Sequence, residues 1–327
     1  MLRTLACALV AGSLLVPAAP PTPALAQFPP DSFTNLKVLP RDIATRDLVG
    51  LMVSFTRALG VRCSTCHVGE EGQPLASYDF PADEKLLKRK ARVMLRMVEK
   101  INSEILTELE ERVEPSVRVE CATCHRGARV PRMIQDILLA AYEDGGIEST
   151  FAVYDSLRDE YYGTFTYDFS EVVLSDVGVK LQQDGQLADA VRLYQRNAAL
   201  FPESLLTQRQ HASNALLLKF QTEGVEAGTA LYRDLKARYA AEAFPELLLN
   251  RLGYALLRGE HVEEAIAVFQ LNVEAYPQAY NVYDSLGEAY MVAGEREKAI
   301  SNYERSLELN PQNTNAVEKL EELRRRN

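Results

Sequence analysis

The chain has 327 residues, with 36 Lys and Arg against 46 Asp and Glu, a formal net charge of −10, five cysteines, four histidines and no tryptophan. That length is enough for two folded domains, and an acidic balance of this size disfavours nucleic acid and anionic membranes as partners. After residue 26 no apolar run is long enough to cross a bilayer.

The first element in chain order is an export signal over residues 1–26. Arg3 supplies the charged start, Leu5 to Val16 a short apolar run, and Ala24-Leu25-Ala26 a small-x-small cleavage site before Gln27. The run is too short for a membrane anchor, and Pro17, Pro20, Pro21 and Pro23 interrupt the stretch directly after it. Cleavage near Gln27 discards Cys7 and delivers the mature chain to the periplasm.

A helix is predicted from Asp42 or Asp47 to Leu59, with apolar positions at Leu48, Leu51, Met52, Phe55 and Leu59 and a stop at Gly60. Cys63-Ser64-Thr65-Cys66-His67 comes immediately after it. Past a Gly- and Pro-containing loop, Gly69 to Pro81, a second helix is predicted from Asp83 to Glu110, with Met94 and Met97 on one face. Beyond it the first motif recurs as Cys121-Ala122-Thr123-Cys124-His125.

Cys-x-x-Cys-His is the signature of covalent c-type haem attachment. The two thiols form thioethers to the porphyrin, and the adjacent histidine reaches the iron as proximal ligand. Two copies predict two covalently bound haems, held by Cys63, Cys66, Cys121 and Cys124 and ligated by His67 and His125. The competing readings fare worse: a four-cysteine zinc site does not require a histidine directly after each pair, and no βαβ pattern marks a thioredoxin-like dithiol. The helix–turn–motif order brings Met52 toward the iron opposite His67. Met97, or failing it Met94, stands in the same relation to His125. The bland alternative makes these methionines core filler. His211 and His261 lie in the repeat half and read as packing or surface residues. Arg62, Arg118, Arg126 and Arg129 flank the motifs, where they suit haem propionates as well as a solvated surface.

The segment from Leu39-Pro40 through Phe55-Thr56-Arg57-Ala58-Leu59-Gly60-Val61-Arg62-Cys63, with Arg96-Met97-Val98, Ile101-Asn102 and Cys121 to Gly127, resembles the cytochrome c subunit of photosynthetic reaction centres over about residues 35–133. The resemblance implies a helix, turn and haem motif in repeated units, with a helical methionine as distal ligand. It therefore implies that role for Met52 and extends it to Met97. Two motifs stand here where that family typically has four.

Downstream, a period of 34 residues pairs Leu252 with Leu286, Gly253 with Gly287, Ala255 with Ala289, Ala265 with Ala299, Ile266 with Ile300, Phe269 with Tyr303 and Pro277 with Pro311. This resembles tetratricopeptide repeats. An earlier copy shows Gly178, Ala190, Tyr194 and Pro202, and a degenerate one surrounds Leu216, Gly228 and Tyr232. The expected fold class is all-α: signal peptide 1–26, dihaem cytochrome domain 27–133, helical connector 134–166, and a repeat solenoid of about four helix pairs at 167–327. Residues 27–133 carry 17 Lys and Arg against 15 Asp and Glu, whereas residues 134–327 carry 18 against 31.

The combined expectation is a periplasmic electron-transfer protein, not an enzyme. Its partners would be redox proteins, a membrane-bound electron-transfer complex among the candidates, with a protein or peptide in the repeat groove. A dihaem peroxidase would need an acid–base histidine near its iron, and the haem segment has none beyond His67 and His125. A haem-based sensor or scaffold is the third reading.

Overall fold

The computed structural model describes residues 28–30, 32–109 and 117–325, so the expected export signal and the expected helix end at Glu110 lie outside the described residues. These residues divide into two compact units, one running to Pro131 and the other starting at Arg132. The described elements are helical apart from one isolated antiparallel bridge between Val68 and Asp79. No described helix is long and apolar enough to cross a membrane.

In the first unit, helix α1 spans Thr45–Leu59, carries Asp47 in its first turn, and ends at Gly60 in the left-handed region (φ +62°). An acidic first turn and a glycine stop complement the helix ends, as the sequence predicts. The two Cys-x-x-Cys-His motifs form two short helices, α2 at Cys63–Cys66 and α4 at Cys121–His125. Between them runs α3, Leu86–Lys100, continued by a π-helical turn at Ile101–Ile105 and a 3-10 turn at Leu106–Glu108. The second helix thus starts three residues later than expected. The carbonyls of Phe80, Pro81 and Ala82 are taken by the Lys88 ammonium, and Asp83 is engaged by Lys37 and Arg92, so this stretch stays extended.

Three apolar side chains are buried among the described residues of this unit: Leu48, Ala58 and Ala128. By contrast Val53, Val93, Met94, Met97 and Ile105 are exposed along α1 and the α3 segment. An amphipathic helix whose apolar side faces outward has the surface expected beside a large apolar group.

The second unit begins with α5, Ile134–Tyr161, bent at Gly145 and Gly146. Next in order are α6 (Glu171–Gln183), α7 (Leu187–Leu200), α8 (Leu205–Arg238, bent at Gly224), α9 (Glu246–Arg258), α10 (Val262–Ala275), α11 (Tyr280–Val292), α12 (Arg296–Leu309) and α13 (Thr314–Arg325). Each helix packs against the next in the chain. A Cβ on Gly178 would meet the Tyr194 ring at 2.5 Å, one on Gly253 the Phe269 ring at 2.5 Å, and one on Gly287 the Tyr303 ring at 3.2 Å. The periodic small residue is where the aromatic of the next helix seats, which is why glycine and aromatic recur together. In the degenerate copy Gly228 instead receives Phe220 across the bend of α8.

Residues expected to act as a connector contribute Ile134, Leu138, Ile147 and Tyr154 to one hydrophobic cluster with Val173, Leu174, Leu193 and Tyr194. Tyr154 is fully buried and meets Phe169 edge-on, while Tyr161 meets Tyr167. These tyrosines serve the core of the second unit.

Candidate functional site

The site begins with a single helical turn. Residues three apart in a helix project from one face, so α2 presents Cys63 and Cys66 together and α4 presents Cys121 and Cys124 together. The His67 amide donates to the Cys63 carbonyl at 2.9 Å, which ties the histidine to the start of its own turn. At the second motif Glu120 and Thr123 form a reciprocal capping box, with the Glu120 amide donating to Thr123 Oγ1 at 2.9 Å. Burial pushes the Cys66 thiol up, with Cys63 adding to the shift, and burial also raises Cys121.

Each proximal histidine candidate is held by the ring nitrogen that an iron would not use. Nδ1 of His67 lies 3.3 Å from the Phe80 carbonyl, and Nδ1 of His125 lies 3.1 Å from the Ala128 carbonyl. A carbonyl accepts, so Nδ1 carries the proton and Nε2 keeps its lone pair for a metal. The Phe80 ring also packs edge-on against His67 at 4.9 Å between centroids. Burial holds the His67 imidazole below its ordinary pKa, and the positive charges of Lys88 and Arg92 act the same way, which favours the neutral ring that ligation needs.

The loop between the first motif and α3 brings Phe80 to His67. The Asp79 amide donates to the Val68 carbonyl at 2.8 Å, Tyr78 Oη donates to the Glu70 carbonyl at 2.8 Å, and the Tyr78 ring covers Gly69. Arg62, a candidate propionate partner, pairs with Glu71 at 2.6 Å on the surface.

Two contacts that sequence reasoning missed set the second motif in place. Asn102, in the π-helical turn, donates to the Val119 carbonyl at 2.8 Å and accepts from the Val119 amide at 2.8 Å. This two-point clamp pins the strand just before Cys121. The run Ile101-Asn102 was legible only as part of a family resemblance, because the clamp joins residues 17 apart in the chain. The second contact joins the motifs: the Gly127 amide donates to the Ala58 carbonyl at 2.8 Å. A Cβ on Gly60 would overlap the Gly127 carbonyl oxygen.

The methionines lie on the helices where they were expected. Met52 is half-buried on α1, and Met94 and Met97 are exposed on α3. Helix α1 packs against α4, and α2 against α3, so each methionine-bearing helix borders the other motif as well as preceding its own. His211 is buried in the second unit with Nδ1 2.6 Å from the Tyr239 hydroxyl, and His261 caps α10. Both are spoken for by their own unit.

Among the described residues no group of three or more His, Cys, Asp or Glu could hold a metal ion, so the four cysteines do not converge on a zinc site. The donor set fits a haem instead, with paired thiols on one helical face, an oriented neutral imidazole and apolar helix faces alongside.

Residues 15–139 match the family described as photosynthetic reaction centre cytochrome C subunit, and residues 280–313 match the tetratricopeptide repeat. A cytochrome c-like domain precedes a tetratricopeptide repeat. Over 114 residues, 35% of this chain, the sequence is 29% identical to Superkiller complex protein 3 of Homo sapiens. The chain spans 7% of the length of that relative. Among solved structures, a MamA protein is 20% identical over 47% of this chain and 80% of its own, with a TM-score of 0.32. The first TPR of Spaghetti (RPAP3), solved bound to an HSP90 peptide, is 18% identical over 48% of this chain and 91% of its own, with a TM-score of 0.24. For the cytochrome-like domain the family implies haem binding, and for the repeat it implies protein interaction.

Proposed function

We propose that this protein is a dihaem c-type cytochrome of the periplasm, exported by a cleaved signal, that passes single electrons between redox partners while its repeat unit docks a protein. The observation that carries the reading is the doubled motif, folded both times as one helical turn with the histidine Nδ1 tethered to a carbonyl. Each haem would supply an iron that cycles between ferric and ferrous states by one electron.

The chain supplies the rest. Cys63, Cys66, Cys121 and Cys124 would hold the porphyrins covalently, and His67 and His125 would be proximal ligands with their tautomers set by Phe80 and Ala128. Met52 would be the second side chain to hold the iron bound by His67, and Met97 the one for the iron bound by His125, with Met94 as the alternative. A thioether opposite imidazole raises the potential relative to two imidazoles, which suits electron transfer above substrate binding at iron. Contact between Gly60 and Gly127 fixes the two attachment turns against each other, as a relay requires.

The acidic repeat half, with 31 Asp and Glu against 18 Lys and Arg over residues 134–327, favours a partner with a basic face. A membrane-bound electron-transfer complex is one such candidate, and nucleic acid is disfavoured.

Denaturing mass spectrometry of the chain expressed with a c-type maturation system tests the reading directly. Two haem additions are expected on a chain beginning near Gln27, and one in either Cys63→Ala/Cys66→Ala or Cys121→Ala/Cys124→Ala. A wild-type mass without haem overturns it.

A further inference from the structure

The carbonyl of Phe80 has two suitors. It faces Nδ1 of His67 at 3.3 Å and accepts from Lys88 Nζ at 2.7 Å. The Lys88 side chain is 11% exposed, and its nitrogen also reaches the carbonyls of Pro81 at 3.0 Å and Ala82 at 2.7 Å and the Asp83 carboxylate at 3.3 Å. All four neighbours are acceptors, so the nitrogen is an ammonium with every proton directed at oxygen. Behind it Arg92, 14% exposed, pairs with Asp83 at 2.7 Å, and Lys37 pairs with the same carboxylate at 2.6 Å. Asp83 pairs with all three cations and Asp79 also acts on Lys88, so two carboxylates face three cations and the cluster backing His67 stays net positive.

We propose that Lys88 is a positioning residue that raises the reduction potential of the haem held at Cys63, Cys66 and His67, acting on the proximal histidine through the Phe80 carbonyl. The inference rests on the haem reading above and names a control of that site. Two effects have the same sign. Donation from Nδ1–H to a good acceptor pushes electron density toward Nε2 and stabilises ferric iron. A carbonyl already polarised by an ammonium accepts more weakly from the imidazole, so that push is reduced. In addition, reduction adds one electron and removes one unit of positive charge at the iron, which a nearby buried cation favours.

The test is a spectroelectrochemical titration of the full-length holoprotein, with the first haem resolved in a Cys121→Ala/Cys124→Ala background and both haems followed in the complete chain. Lys88→Met should raise the ferric-to-ferrous ratio of the first haem at fixed ambient potential about tenfold, a shift of about 59 mV for one electron. The second haem should not move. Lys88→Gln, which can still donate to the carbonyl but lacks the charge, should shift in the same direction, while Lys88→Arg should restore the wild-type value. Asp83→Asn removes the counter-charge and leaves Lys88 in place, so it should shift the first haem oppositely. The Nδ1–H resonance of His67 in the diamagnetic ferrous protein should move in Lys88→Met, reporting the altered hydrogen bond.

A first-haem potential unchanged in Lys88→Met and Lys88→Gln, with haem attached, overturns this proposal alone. If those variants fail to retain haem, an unchanged potential in Asp83→Asn overturns it instead. Absence of the adduct from the wild-type chain overturns the haem reading and this inference together.

Discussion

Substituting Gly60 by alanine probes the contact that joins the two motifs. Gly60 sits at φ +62°, and a Cβ there would overlap the Gly127 carbonyl oxygen, which nothing but backbone movement can relieve. The left-handed conformation itself costs an alanine about 1–2 kcal/mol. Moving Gly127 away also stretches its amide from the Ala58 carbonyl, a bond worth about 0.5–1.5 kcal/mol net. The expected loss is therefore about 1.5–3.5 kcal/mol. Gly72 provides the control, since its φ is +86° and a Cβ there meets nothing within 4 Å. Gly72→Ala should cost only the backbone share, about 1–2 kcal/mol. The assay is denaturant unfolding of the full chain monitored by haem absorption, paired with native-state hydrogen exchange. Gly60→Ala should lower protection of the Gly127 amide by about tenfold, equivalent to about 1.4 kcal/mol, and Gly72→Ala should leave it alone. Equal losses in the two variants, with Gly127 protection unchanged in both, would refute the close contact as a determinant of motif packing.

Three further outcomes rest on the same geometry. Asn102→Ala removes both bonds to Val119 and should destabilise the second motif by about 1–3 kcal/mol, seen as a lower yield of the Cys121/Cys124 haem adduct by mass spectrometry with the first adduct intact. Met52→His should lower the potential of the haem held at Cys63, Cys66 and His67, and of Met94→Leu and Met97→Leu only one should abolish the methionine signature of the haem held at His125. His211 is held at about 4 by burial, with Arg238 adding to the shift, so the unfolded chain binds its proton more readily. Its neutral form contributes stability above the ordinary histidine range that is lost as pH falls toward 4, by about 3–4 kcal/mol, and His211→Gln should flatten the pH dependence of repeat-unit unfolding by that amount.

Signals that live within one turn or one repeat were legible in the chain itself. The Cys-x-x-Cys spacing already dictates two thiols on one helical face, Gly60 already marks the end of α1, and the pairing of Gly253 with Phe269 and of Gly287 with Tyr303 already implies helices that approach through a small residue. These depend on contacts a few residues apart, or on a period that repeats them. What tertiary structure decided involves partners that no spacing rule connects. The Phe80 carbonyl reaches His67 only because Val68 and Asp79 bridge and Tyr78 folds over Gly69. The second helix begins at Leu86 because Lys88 turns back onto three carbonyls before it, a preference that helical periodicity does not encode. Asn102 looked like a polar residue on a helix, yet its two bonds to Val119 hold the second motif. Residues 134–166 read as helices joining the two domains, while in the fold the bend at Gly145 and Gly146 lets both halves of α5 enter one core with α6 and α7. A sequence displays side chains at fixed intervals along a line; which backbone carbonyl faces which imidazole is decided by loop closure in space.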